Sequence, residues 1–274
     1  MEKYIDLHIH STKSDGLLDP LEIVRLASQK NLAAISITDH DSIEGYYCAL
    51  NEAKKLGVTI VPGVEMSCEE EGKDIHLLGY FIDGTNRRFL EYLETMRQHR
   101  RIRIYKIADK LKLLGVDLCA DTLLKELKTT SPGRPHIAKK LLEKGFVSSA
   151  YEAFSRYIGE NCPAYVKKFK FSVKDCISLI HEIGGLAVLA HPAIYLKDHL
   201  IERFVKDGLD GLEVIHSEHS ISDMKKYKAI AKQYGLLETG GSDFHGASHD
   251  RRELGGIPIP YSMLENMQQA LWQQ

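Results

Sequence analysis

The chain has 274 residues, 43% hydrophobic and 27% charged, with a formal net charge of −2 at pH 7. That composition excludes a disordered or fibrous chain, and the length allows one large domain or two modest ones. No apolar run approaches the roughly 18 residues a membrane helix needs, and a carboxylate, Asp6, stands where a secretory leader is apolar, so a cytoplasmic protein is expected. Five cysteines (Cys48, Cys68, Cys119, Cys162, Cys176) form no Cys-x-x-Cys pair and read as reduced thiols, not as a disulfide framework or a zinc knuckle.

Tyr4-Ile5-Asp6-Leu7-His8 reads as a strand, and Asp19-Pro20-Leu21-Glu22 opens a helix with an N-cap, a proline at the first helical position and a carboxylate at the third. A second strand is expected at 33–37, a helix over about 42–56, a third strand at 58–61 and a fourth at 75–81. The rhythm then changes. Phe89, Leu93, Met96, Ile104, Ile107, Leu111 and Leu114 fall near a 3.6 period before Gly115, and no buried strand is expected between about 85 and 170. From the capping box Ser172-Val173-Lys174-Asp175 the alternation resumes, with a helix to His181 and strands at 186–190, 211–215 and 236–239. Helices near 196–206, 222–233 and 261–272 complete the pattern.

With the middle removed, about seven β/α units remain, an α/β pattern that suits a parallel barrel with a helical insertion; a doubly wound open sheet competes. The expected barrel domain is 1–84 with 171–274, and the insertion is 85–170. Charge separates the same parts: the insertion carries 19 Lys and Arg against 9 Asp and Glu, the remainder 17 against 29. A basic cap on an acidic body favours an anionic ligand, although a lysine-rich solvated face would read the same way.

His8-Ile9-His10 ends the first strand, and period-two alternation sends both imidazoles to one face, where they can reach one ion. Thr38-Asp39-His40-Asp41 follows the second strand, Glu65 follows the third, and His76 lies within the fourth. Ala190-His191-Pro192 and Ser242-Asp243-Phe244-His245 each follow a later strand. In parallel β/α folds the carboxyl ends of the strands gather the functional loops, so one pooled cluster is expected. Imidazole and carboxylate without thiolate suit divalent Mn²⁺, Fe²⁺ or Zn²⁺, with Mn²⁺ favoured. Nine such residues exceed one ion's needs and imply two or three metals with positions left for water and substrate. Metal-assisted hydrolysis of a phosphate ester follows.

His8-x-His10, Asp15, Thr38-Asp39-His40, Pro62-Gly63-Val64-Glu65, His76, Ala190-His191-Pro192 and Ser242-Asp243-Phe244-His245 together resemble the ordered motifs of the PHP (polymerase and histidinol phosphatase) family over nearly the whole chain. The resemblance implies a distorted (β/α)7 barrel with a trinuclear site. Carried over by position, His8, His10, Glu65 and Asp243 hold the first ion; Glu65, His76 and His191 the second; Asp15, His40 and His245 the third. Water held by Glu65, Asp243 and His191 through the metals is then the attacking group. Asp39 and Asp41 either orient these ligands or, for Asp41, cap the second helix.

The helical insertion resembles the subgroup that removes the 3′-phosphate from nucleoside 3′,5′-bisphosphates and that includes a 5′-to-3′ exoribonuclease. Its arginines imply phosphate contacts for Arg100, Arg103 and Arg134. His136 either touches the ligand, the preferred reading, or caps its own helix, and His216 and His219 either assist the leaving group or support the ligands. His99, His181, His199 and His249 carry no motif. Ile194 departs from the family, where an arginine is frequent. The expected substrate is a nucleoside 3′,5′-bisphosphate, with short 5′-phosphorylated RNA related to it. The alternatives are histidinol phosphatase and a nucleic-acid-binding module with a structural metal.

Overall fold

The computed structural model describes residues 3–127, 129–195, 198–246 and 252–273. The chain divides into two compact units, the first running to Leu90 and resuming at Lys170, the second spanning Glu91–Phe169.

The first unit opens with β1 (Tyr4–Ile9), α1 (Pro20–Gln29), β2 (Leu32–Ile37), α2 (Glu44–Leu56) and β3 (Thr59–Ile60). The start of α1 is set locally: Asp19 accepts from the Leu21 amide, and Glu22 reaches back to the Asp19 amide, at 3.0 Å each. Next come β4 (Gly63–Glu70) and β5 (Lys73–Tyr80). After the second unit follow β6 (Phe171–Ser172), which precedes the long C-terminal part of this unit, where Ser172 caps the next helix by accepting from the Asp175 amide.

In the second unit, α3 (Arg87–Leu113) supplies all but its first turn, followed by α4 (Ala120–Glu126), α5 (Arg134–Glu143), α6 (Ala150–Ala153) and a π-turn at Phe154–Ile158. Its own core holds Ile104, Ile107, Leu111, Leu123, Ile137 and Ile158. Among its described residues there is no strand.

The first unit resumes with α7 (Val173–Glu182), β7 (Leu186–Leu189), α8 (Pro192–Tyr195), a 3₁₀ turn at Asp198–Leu200 and α9 (Ile201–Lys206). It ends with β8 (Gly211–His216), α10 (Ile221–Tyr234), β9 (Leu237–Gly241), β10 (Ile259–Pro260) and α11 (Ser262–Leu271). Residues 196–197 of the helix expected near 196–206 lie outside the described residues, as does His249.

The strands form two mixed sheets, β10-β1-β2-β3 and β6-β4-β5-β7-β8-β9, and among the described residues they do not close into the expected parallel barrel. Two features open and reverse the ladder. Pro62 has no amide to donate, so the expected third strand shrinks to Thr59–Ile60 and Glu65 lies in a separate strand, β4, instead of a loop. Glu71 and Gly72 both have positive φ, at 49° and 74°, making a two-residue hairpin that turns β5 back antiparallel to β4. β5 is antiparallel to β7 as well, whereas β7-β8-β9 and β1-β2-β3 run parallel. Among the described residues, isolated bridges, Ile9 to Phe244 and His40 to Glu65, stand between the two sheets where a barrel would need full ladders.

Candidate metal centre

The ladder ends are where the polar residues collect. β1 delivers His8 and His10, both fully buried, and Asp6 fixes its register by accepting from the amides of Ser242 (2.9 Å) and Gly255 (2.9 Å). Asp243 follows β9 with φ 53°, and His191 follows β7 with φ 29°. Left-handed backbone in non-glycine residues costs energy and marks a place where side-chain direction is held at the expense of local comfort. His76, mid-strand in sequence, comes to the same end because β5 is reversed: it pairs with Ser67, and its carbonyl accepts from the Ala190 amide at 3.1 Å.

Glu65 lies at the centre, 1% exposed. Its Oε2 is 3.1 Å from His10 Nε2, 3.4 Å from His8 Nε2 and 3.0 Å from His40 Nδ1. Its Oε1 is 2.9 Å from His76 Nδ1 and 3.1 Å from His191 Nε2. Asp243 Oδ1 completes the first group at 3.1 Å from His10 Nε2 and 3.4 Å from His8 Nε2. Asp15 Oδ1 is 3.5 Å from His245 Nε2 and 3.7 Å from His10 Nδ1. The structure thus brings all nine expected donors into one region, with His40 facing Glu65 as well as flanking the His10 ring.

These donors fit divalent cations. Glu65 Oε2, Asp15 Oδ1 and His40 Nδ1 are buried with no hydrogen-bond partner, although nitrogens or oxygens approach them closely. Lone pairs crowding one another at this range need a positive centre between them. Edges of about 3.3 Å belong to a tetrahedron with bonds of about 2.0–2.1 Å, and the 3.1–3.4 Å contacts of His8, His10, Glu65 and Asp243 match it.

Without cations the same crowding is met by protons. Burial pushes the Glu65 carboxyl up, but the imidazoles of His40, His76 and His8 outweigh it and hold it well below the carboxylate range. Asp243 is likewise raised by burial and held well below that range by His8 and His10. Burial depresses His10, yet Asp243 and Glu65 prevail and lift it to about 10; His8 is also raised, Glu213 and Glu65 overcoming burial. His76 and His216 are pushed down to about 4, chiefly by burial.

These shifts set a pH profile for the chelator-treated protein. The stabilisation from His8 and His10 is complete below 6.5 and is lost as pH rises, for His10 towards about 10. The depressed His76 and His216 refuse a proton that the unfolded chain accepts, so their stabilisation is lost as pH falls from 6.5 towards about 4. Glu65 and Asp243 lose theirs only at still lower pH. Stability is therefore expected to peak near pH 6.5 and to fall on either side by roughly 1–3 kcal/mol per pH unit. Urea midpoints at about pH 5, 6.5 and 8.5 check this. Equal midpoints throughout would contradict it.

A second layer holds the donors. Asp39 accepts from Ser11 N (2.8 Å), Ser11 Oγ (2.6 Å) and Ser14 Oγ (2.6 Å). Asp41 accepts from the amide and hydroxyl of Ser67, both at 2.9 Å, and α2 begins at Glu44, three residues on. His216 is fully buried, with Nδ1 accepting from the Glu218 amide and Nε2 3.8 Å from Asp243 Oδ2. His219 bonds the Val214 carbonyl through Nδ1. Sequence reading missed Glu213, which contacts His8; Arg252, which donates to Asp243 Oδ2 at 2.6 Å; and Tyr195, whose hydroxyl accepts from the His76 amide at 2.9 Å. Glu213 carried one signal, a carboxylate amid the apolar run Gly211–Ile215; Arg252 and Tyr195 carried none. Ile194 is half-exposed on α8.

In the second unit, Arg100 is buried and Arg103 and Arg134 are half-buried. Burial, then the neighbouring charges of Arg134 and Arg100, pull Arg103 down to about 10. Arg103 Nε donates to the Val166 carbonyl at 2.8 Å, and Arg134 packs over Phe154 and Tyr165 while donating to the Ile158 carbonyl. His136 caps α5, its Nδ1 accepting from the Gly133 amide at 3.0 Å. His99 stacks on Phe169, His181 pairs with Asp210, and His199 lies 3.7 Å from Glu71.

A mixed α/β scaffold presenting buried imidazoles and carboxylates at its strand ends defines a divalent-cation site of the PHP type, and the chain belongs to the PHP domain family, whose model matches residues 6–182. It is 34% identical over 250 residues to a 5′-3′ exoribonuclease of Haemophilus influenzae, covering 89% of this chain and 91% of that one. It is 33% identical to a 3′,5′-nucleoside bisphosphate phosphatase of Chromobacterium violaceum, covering 92% and 90%. A solved structure from Bifidobacterium adolescentis, a candidate metal-dependent phosphoesterase, superposes with a TM-score of 0.89 at 27% identity over 97% of this chain and 95% of that one.

Proposed function

We propose that the protein is a metal-dependent phosphoesterase that hydrolyses nucleotide phosphate esters, most directly the 3′-phosphate of nucleoside 3′,5′-bisphosphates, with short 5′-phosphorylated RNA as a related substrate. One observation carries the reading: the two oxygens of Glu65 face two separate groups of imidazoles, the arrangement of a carboxylate shared between cations. The similarity to a bisphosphate phosphatase and to an exoribonuclease supports the substrate class.

His8, His10, Glu65 and Asp243 would hold the first cation, Glu65, His76 and His191 the second, and Asp15, His40 and His245 a third, with Mn²⁺ favoured over Fe²⁺ or Zn²⁺. Such cations, when bound, would neutralise phosphate charge and make hydroxide available near neutral pH. The chain's own contribution is placement. Glu65, Asp243 and His191 orient the reacting groups, Arg252 holds Asp243 in its rotamer, and burial of the donors limits reorganisation during the reaction. Arg100, Arg103 and Arg134 bind substrate phosphate, and at Arg103, desolvated and beside the other two guanidiniums, an anion relieves the crowding. His136 supports that cluster by ordering the start of α5. The cytoplasm suits five free thiols, and no described helix is long and apolar enough to cross a membrane.

A substrate panel tests the reading. Mn²⁺-loaded protein is expected to turn over nucleoside 3′,5′-bisphosphate and 5′-phosphorylated RNA, and chelation to stop both. Turnover confined to histidinol phosphate, or RNA binding with no hydrolysis under any metal condition, would overturn it. Arg134→Ala is expected to raise KM by about 10–100-fold with little change in kcat, the signature of lost ground-state binding. Steady-state kinetics with the bisphosphate decide this, and an unchanged KM removes Arg134 from the substrate contacts.

A further inference from the structure

Glu213 is fully buried in β8 and belongs to none of the donor groups above. Its Oε1 lies 3.0 Å from Nδ1 of His8, on β1, while its Oε2 accepts from the backbone amide of His191, just past β7, at 2.7 Å. One carboxylate therefore touches a residue of each Glu65-sharing cation group. His8 points its other nitrogen, Nε2, at Glu65 and Asp243, both 3.4 Å away. His191 points Nε2 at Glu65 from a left-handed backbone, φ 29°, that needs an external hold.

We infer that Glu213 is a positioning residue that ties the two cation groups together, by fixing the His8 tautomer and anchoring the His191 backbone at once. A carboxylate at Nδ1 keeps the ring hydrogen there, so Nε2 presents its lone pair to the first cation. The second oxygen satisfies an amide that would otherwise be buried unpaired and holds His191 Nε2 in line with the second. The inference rests on the reading of His8 and His191 as cation donors. His8, Glu213 and His216 also lie close enough to form a cation group of their own, but both Glu213 oxygens are already engaged, by His8 Nδ1 and by the His191 amide.

Glu213→Gln keeps the shape and removes one acceptor. The amide can accept from His8 or from His191, and its NH₂ then opposes an N–H at the other. The expected result is a fall of about 10–100-fold in the affinity for the cation whose donor faces the NH₂, and in Glu213→Ala, which removes both acceptors, for both cations together, measured by elemental analysis after dialysis against graded free Mn²⁺. Wild-type uptake in either variant with a wild-type circular dichroism spectrum, or loss of a single cation in Glu213→Ala, overturns the coupling. A second measurement needs no variant: in wild-type protein carrying ¹⁵N-histidine and loaded with Zn²⁺, His8 is expected to carry its hydrogen on Nδ1. A metal-coordinated or bare Nδ1 overturns the inference, and decides the matter should the glutamine variant fail to fold. If wild-type protein takes up no cation at all, the donor assignment itself falls, an outcome distinct from normal uptake that Glu213→Gln leaves unchanged.

Discussion

Glu65→Gln is expected to lose at least one cation per chain and to reduce turnover by roughly 10³-fold or more. Five imidazoles lie within 3.4 Å of the two Glu65 oxygens. An amide offers one oxygen and no charge, and its NH₂ group must oppose one of the two imidazole groups, so it cannot serve both cations whichever way it turns. The substitution acts on folding too. In the chelated protein the Glu65 carboxylate is one partner of the raised His8 and His10, and removing it leaves their buried charge to Glu213 and Asp243 alone, at a cost of about 1–3 kcal/mol. Elemental analysis, bisphosphate hydrolysis and urea melts of loaded and chelated protein read the three effects separately. Full cation content with turnover within about threefold of wild type would remove Glu65 from its central place.

Gly241→Ala is expected to destabilise the protein by about 3 kcal/mol and to weaken cation uptake, although residue 241 bears no ligand. A Cβ there would stand 2.1 Å from His8 Cβ, 2.6 Å from His8 N and 2.8 Å from His8 Cα. These atoms cannot swing aside as the tip of a flexible side chain can, and His8 is tethered through the Asp6 bond to the Ser242 amide. β1 and β9 must part, carrying His8 away from Asp243. A melting temperature lower by roughly 6 °C or more and a parallel drop in bound Mn²⁺ are the readouts. Gly57→Ala is the contrast: it has φ 69° with nothing within 4 Å, so it incurs only the backbone strain, about 1 kcal/mol, and leaves cation uptake intact. Equal effects from the two substitutions would show that the close approach at His8 is not what matters.

The identity of the donors was legible in the chain because cation chemistry accepts few side chains. His8-x-His10, Glu65 and Asp243 could be marked as soon as they were seen to cluster near strand ends. Helix starts were equally legible, since Asp19, Ser172 and their partners three residues on interact over a single turn. The family followed from the order of these motifs. His76 looked misplaced within its strand, and only the reversal of β5 at Glu71-Gly72 puts it beside Glu65.

What a sequence determines by itself is thus local: side-chain chemistry, caps, helical period and the charge of the inserted segment. Only the tertiary structure decided that the described strands form two mixed sheets, that Asp41 holds Ser67, and that Glu213 lies between His8 and His191. The reason is distance along the chain. Glu213 and His8 are 205 residues apart, and whether a buried carboxylate finds such a partner depends on packing of the whole first unit, which no short window of residues encodes.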